Sequence, residues 1–100
     1  MSIILGIDSS CDDSAVAVVK DGRVLSNIVA SQNQIHRQYG GVFPTLAKLA
    51  HQQNLPAALE MALRQSRRKW SEINAIAVTQ GPGLAPALEV GITLAKELSA

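Results

Sequence analysis

A single cysteine, Cys11, is all the chain carries. It cannot close an intrachain disulfide, which suits a reducing compartment. Aromatic residues are also scarce, at 3%, so the chain lacks the stacking platforms that single-strand nucleic-acid binders use. Charge has no dominant sign. Nine Lys and Arg stand against eight Asp and Glu, and net charge therefore argues neither for nor against a polyanionic partner. No apolar run extends beyond a few residues, too short for a helix to cross a bilayer. The opening MSIILGIDSS has no basic segment before its apolar run and does not read as a signal peptide. These absences lead us to expect a cytoplasmic protein without a membrane partner.

What is present is apolar content of 47% in 100 residues, enough for one domain with a core. Ile3 to Ile7 is a continuous apolar run, as expected of a central strand covered on both faces. Ala15 to Val19, rich in valine, predicts a second strand. Lys20-Asp21-Gly22-Arg23 predicts a hairpin, because Asp-Gly readily supplies the positive φ angles of a type I′ turn. Arg23 to Ser31 would then be the third strand of an antiparallel meander.

Gln32 to Gly41 is polar and ends in Gly-Gly, which reads as a loop. From Pro44, apolar residues including Leu46, Ala47, Ala50, Ala58, Leu59, Ala62 and Leu63 recur at helical spacing. Pro56 falls inside this pattern and predicts either a kink or two helices meeting near Leu55. Ala75 to Thr79 predicts a fourth strand, parallel to the first after a long crossover. Leu84 to Leu98 predicts a last helix. The order β-β-β-α-β-α is α/β. One further strand would complete the ribonuclease H-like half-domain of sugar kinases, actin and their relatives, so residues 1–100 read as a single incomplete subdomain, truncated before its fifth strand.

Two segments carry candidate chemistry. Between the first two strands, Asp8 to Ser14 is an unbroken series of seven polar side chains: three carboxylates, three hydroxyls and a thiol. Such a set is costly to bury. A tight turn exposes backbone N–H groups, Ser9 and Ser10 add hydroxyl donors, and the carboxylates of Asp8, Asp12 and Asp13 suit a hard cation that brings phosphate with it. The plain alternative is a hydrophilic hairpin. The second segment is GPGLAPALEVG, Gly81 to Gly91, placed between a strand and a helix where backbone can approach an anion. It lacks the Lys-Ser/Thr of a P-loop, and the plain alternative for Gly81 and Gly83 is a left-handed turn. Ala87 and Gly91 form a small-residue face suited to close helix contact, within the domain or with a partner.

Other polar residues read as structural. His36 and His51 are not at metal-ligand spacing and read as a loop histidine and a helix-surface histidine. Cys11, among acids, is not proposed as a nucleophile. Arg64, Arg67, Arg68 and Lys69 read as cations at a helix C-terminus, with contact to RNA phosphates the alternative.

Three blocks in order, GIDSSCDDS (Gly6 to Ser14), HRQYGGVFPTLAKLAH (His36 to His51) and AVTQGPGLAPALEVG (Ala77 to Gly91), resemble the N-terminal part of the tRNA threonylcarbamoyladenosine synthases, a family formerly described as glycoproteases. The resemblance covers the whole chain but only the opening part of a typical member. The GGVFP block separates the chain from sugar kinases. The resemblance implies transfer of a threonylcarbamoyl group from its adenylate to N6 of the adenosine following the anticodon.

On this resemblance Asp12 and Asp13 would be catalytic. Asp8, Ser9, Ser10, Gly81 and Gly83 would hold the substrate or its phosphate, with threonylcarbamoyl-adenylate or ATP as the nucleotide. It further implies a divalent metal, iron or zinc, whose His-x-x-x-His ligands fall beyond Ala100, leaving none within residues 1–100. Implied partners are tRNA and, in bacteria, a paralogous noncatalytic subunit and an ATPase subunit. Asp8 and Asp13 stand where many members have Glu, and Thr45, Leu49 and Ala50 replace positions often polar. Two other readings remain: an ATP-dependent phosphotransferase of the sugar-kinase type, and a noncatalytic module that self-associates through its sheet edge or its small-residue helix face.

Overall fold

The computed structural model describes residues 2–10, 13–31, 44–83 and 85–99. Strands β1 (Ile3–Asp8), β2 (Asp13–Lys20) and β3 (Arg23–Ser31) form the expected meander, each pairing antiparallel with the next. The β2–β3 turn has positive φ at both central residues, 50° at Asp21 and 80° at Gly22, as a hairpin matched to the strand twist requires. The Asp21 carboxylate also accepts from the Ser2 N–H at 3.0 Å, tying the turn to the start of β1. Strand β4 (Ala75–Val78) pairs parallel with β1, giving the sheet order β3-β2-β1-β4. A short 3-10 helix, Trp70–Glu72, precedes β4.

The two α-helices among the described residues lie against one face of this sheet. Helix α1 (Pro44–Ser66) is one continuous helix, not two. Pro56 sits on its exposed side, while Leu55 and Ala58 on the buried side pack into the core. That anchorage on both sides of the proline offsets the loss of one helical hydrogen bond. Helix α2 (Ala85–Ser99) buries Ala87, Leu88, Gly91 and Ala95. The small-residue face is therefore spent inside the domain and is not free for a partner. The core is made of Ile3, Leu5, Ile7, Val16 and Val18 from the sheet, with Leu55, Ala58, Ala62 and Ala95 from the helices.

Strand alternation leaves the other face of the sheet without a covering layer among the described residues. It carries Ile4 and Gly6 of β1, Ala15, Ala17 and Val19 of β2, Val29 of β3, and Ala77 of β4. The small residues at its centre floor a depression of about 350 Å³.

Candidate functional site

Strand β1 ends and β2 begins on either side of the polar cluster, so the pleat sorts its side chains. Asp8 follows Ile4 and Gly6 onto the open face, and Asp13 shares that face with Ala15 and Ala17. Ser9 and Ser14 go the other way and are fully buried. The cluster that reads as one unit in the sequence is divided between two environments.

On the helix side, hydroxyls tie strands to helices. Ser9 Oγ donates to the Ala87 carbonyl at 2.7 Å and accepts from the Gly91 N–H at 3.1 Å, addressing both ends of one helical i, i+4 pair. This hydroxyl is engaged with α2, contrary to the expectation that it would serve as a donor to phosphate. Gly91 has no substitute here, because a Cβ would sit 2.6 Å from Ser9 Oγ. Ser14 Oγ lies 2.6 Å from His51 Nδ1, and Ser26 Oγ donates to the Ala62 carbonyl at 2.8 Å.

On the open side, Asp8 and Asp13 are half-buried, and Asp8 lines the depression together with Gly6, Ala15, Ala17, Ala77 and Thr79. Ser10 Oγ donates to Asp8 Oδ2 at 3.3 Å. Thr79 N–H donates to the Ile7 carbonyl at 3.0 Å, which carries the β1–β4 pairing up to the turn. The Gly81–Gly83 turn follows at once. Its Gly83 packs on Ser10, where any Cβ would overlap the Ser10 carbonyl. Neither Gly81 nor Gly83 has positive φ, so Gly83 is required by close approach and not by a left-handed turn. The fold thus brings Asp8 and Ser10 together with the glycine turn, which is far away in the chain, while Asp13 shares the open face of the sheet. Asp12 and Cys11 lie outside the described residues, as do residues 32–43, which include the expected Gln32 to Gly41 loop and the first half of the His36 to His51 block. A site of this composition can accept a proton at a carboxylate and offer backbone donors to an anion.

The sequence reading placed His51 on a helix surface, and the structure corrects this. His51 is fully buried and bonded to Ser14. The available signal was its position four residues before Leu55, on the stripe that continues through Ala58 and Ala62. Among the basic residues, Arg64 pairs with Glu60 at 2.8 Å and Arg68 with Glu72 at 3.2 Å, in keeping with a solvated helix end. Among the described residues no group of three or more His, Cys, Asp or Glu could hold a metal ion, and no helix is long and apolar enough to cross a membrane.

The chain is similar to the tRNA N6-adenosine threonylcarbamoyltransferase of Thermomicrobium roseum, 55% identical over 98 residues, which are 97% of this chain and 27% of that protein. It is similar to the Nostoc enzyme of the same name at 48% identity, over 99% of this chain and 29% of that protein. The chain therefore spans just over a quarter of the length of these relatives. Among solved structures, YeaZ from Pseudomonas aeruginosa superposes with a TM-score of 0.74 at 25% identity, covering 99% of this chain and 39% of that one. The family model for TsaD, tRNA N6-adenosine threonylcarbamoyltransferase, matches residues 23–100, and the chain belongs to that family.

Proposed function

We propose that this chain forms the N-terminal subdomain of a longer, two-lobed tRNA N6-adenosine threonylcarbamoyltransferase. In the reaction, the amine N6 of the adenosine attacks the carbamoyl carbon of threonylcarbamoyl-adenylate. A C–N bond forms, the bond from that carbon to the phosphate oxygen breaks, AMP leaves, and N6 gives up a proton. Asp13, or Asp12 next to it in sequence, receives that proton or passes it to a bound water. Asp8 and Ser10, with the backbone of Gly81 and Gly83, orient the adenylate phosphate. Ser9 acts from behind by holding α2 against the turn.

The observation that carries this reading is that Asp8 and Asp13 share the open face of the sheet, with Asp8 lining the depression and bonded to the Ser10 on which the glycine turn packs, in a chain of this family. The described residues do not offer a metal site. The divalent iron or zinc of the resemblance would take its ligands beyond Ala100, and the steps above use only this chain's own groups. The reading includes tRNA as acceptor, a paralogous noncatalytic subunit and an ATPase subunit as partners in a bacterial cell, and a cytoplasmic location.

The test is transfer of labelled threonylcarbamoyl from its adenylate to tRNA by the full-length protein with its partner subunits. Wild type should label the tRNA, and Asp13→Asn should lower the rate on the order of 10²-fold or more while tRNA still binds. Absence of labelling by the wild type would overturn the reading. ATP turnover that depends on a small hydroxylated substrate would instead support a phosphotransferase.

A further inference from the structure

We infer that the buried Ser14–His51 pair is a positioning device that holds Asp13 in place. The inference rests on the transfer reaction proposed above. The two side chains are fully buried and joined at 2.6 Å, linking β2 to α1. Packing alone does not call for this bond, since Val16 and Val18 of β2 are already buried in the same core as Leu55 and Ala58 of α1. A polar pair in such a core is costly unless well satisfied.

The register shows what the pair adds. Pairing between β1 and β2 ends at Asp8 and Ala15, so Ser14 and Asp13 are held by a neighbouring strand on one edge only, opposite Ala30 and Ser31 of β3. The strand would fray at that point. The bond from Ser14 to His51 supplies a second anchor one residue from the carboxylate. With Ser14 fixed toward α1, the pleat directs Asp13 to the open face. His51 reaches Ser14 from inside a 23-residue helix, a rigid support of the sort a reacting group needs.

The experiment compares wild type, Ser14→Ala, His51→Leu and His51→Asn in the full-length protein with its partner subunits. Asn can place a polar atom near the position of Nδ1, and Leu fills similar space without one. Two readouts are taken: kcat and KM for tRNA in the transfer assay, and amide hydrogen exchange at residues 13–15. Ser14→Ala and His51→Leu should lower kcat about tenfold with KM little changed, because a misplaced group slows the chemical step. Both should speed exchange at residues 13–15, and His51→Asn should recover most of the rate. An unchanged kcat with a lowered melting temperature would overturn the proposal, as would His51→Asn being as impaired as His51→Leu. An inactive wild type would sink the transfer reading, and the exchange comparison would then decide the anchoring of Asp13 by itself.

Discussion

On the helix-covered face of the sheet, Leu5, Val16 and Val18 are fully buried, and Ser9, Ser14 and Ser26 each bond to a helix. On the open face the same strands carry Gly6, Ala15, Ala17 and Ala77, with Asp8 and Asp13 at the end nearest the polar turn. The first face is filled by branched aliphatic side chains and its hydroxyls are consumed internally. The second keeps its side chains short at its centre and leaves its carboxylates half-exposed. The difference teaches that a hydroxyl-rich, acid-rich motif need not act as one site. Pleat parity sends half of it to the packed side of the sheet and half to the open side.

The largest effect expected from this contrast is at adjacent residues of β1. Leu5→Ala should destabilise the chain by about 2–5 kcal/mol, as for other fully buried leucines. Ile4→Ala, on the open face at 37% exposure, should cost about 1 kcal/mol or less. Urea unfolding midpoints measure both. Equal losses would break the comparison, because they would mean that the open face is covered in solution.

The glycines sharpen the same contrast on a smaller scale. Gly91→Ala drives a methyl into Ser9 Oγ and should cost about 1–3 kcal/mol. Gly6→Ala meets nothing closer than the Ala17 carbonyl at 3.9 Å and should change stability by about 0.5 kcal/mol at most. Thermal unfolding of the two variants side by side would show it.

Two further changes touch neither face and set the background. Helix α1 closes with hydrogen bonds from Arg67 N–H to the Arg64 carbonyl and from Arg68 N–H to the Leu63 carbonyl. This cap puts Arg67 at φ 58°, a conformation that glycine adopts without penalty. Arg67→Gly should raise stability by about 0.5–1 kcal/mol, read as a higher urea midpoint. The smallest effect is electrostatic. The Lys69 backbone N–H, followed by the Arg68 guanidinium, holds the Glu72 carboxyl below the usual carboxylate range. A lowered folded-state value means stability that is present above the ordinary carboxylate pKa and lost as pH falls through the lowered one. Glu72→Gln should therefore slightly lower stability at neutral pH and leave the acid end unchanged, which flattens the acid limb of the stability–pH curve.

Much of the fold was legible because its signals are local. Asp21-Gly22 dictates its hairpin, β3 spans the residues its composition suggests, and the segment between β3 and β4 is long enough for a crossover to a parallel strand. Pro56 was less legible, since one residue does not reveal that anchors on the buried side keep a helix continuous. His51 was misread because a histidine among glutamines suggests a surface, whereas its partner is 37 residues away in β2. Gly83 was read as an anion cradle or a left-handed turn. The reason it must be glycine is the Ser10 carbonyl, brought against it by the parallel pairing of β1 and β4.

By itself the sequence determined the strands and helices, their order, the parallel placement of the fourth strand and the family, because periodicity, turn chemistry and ordered motifs are properties of neighbouring residues. Only the tertiary structure decided which face of the sheet received the helices. That choice turned Ser9 and Ser14 inward to α2 and His51, left Asp8 and Asp13 on the open side, and seated the glycine turn on Ser10. The physical reason is that alternation along a strand fixes only which residues share a face. Which face is buried depends on where the helices pack, and that is settled by contacts between segments far apart in the chain.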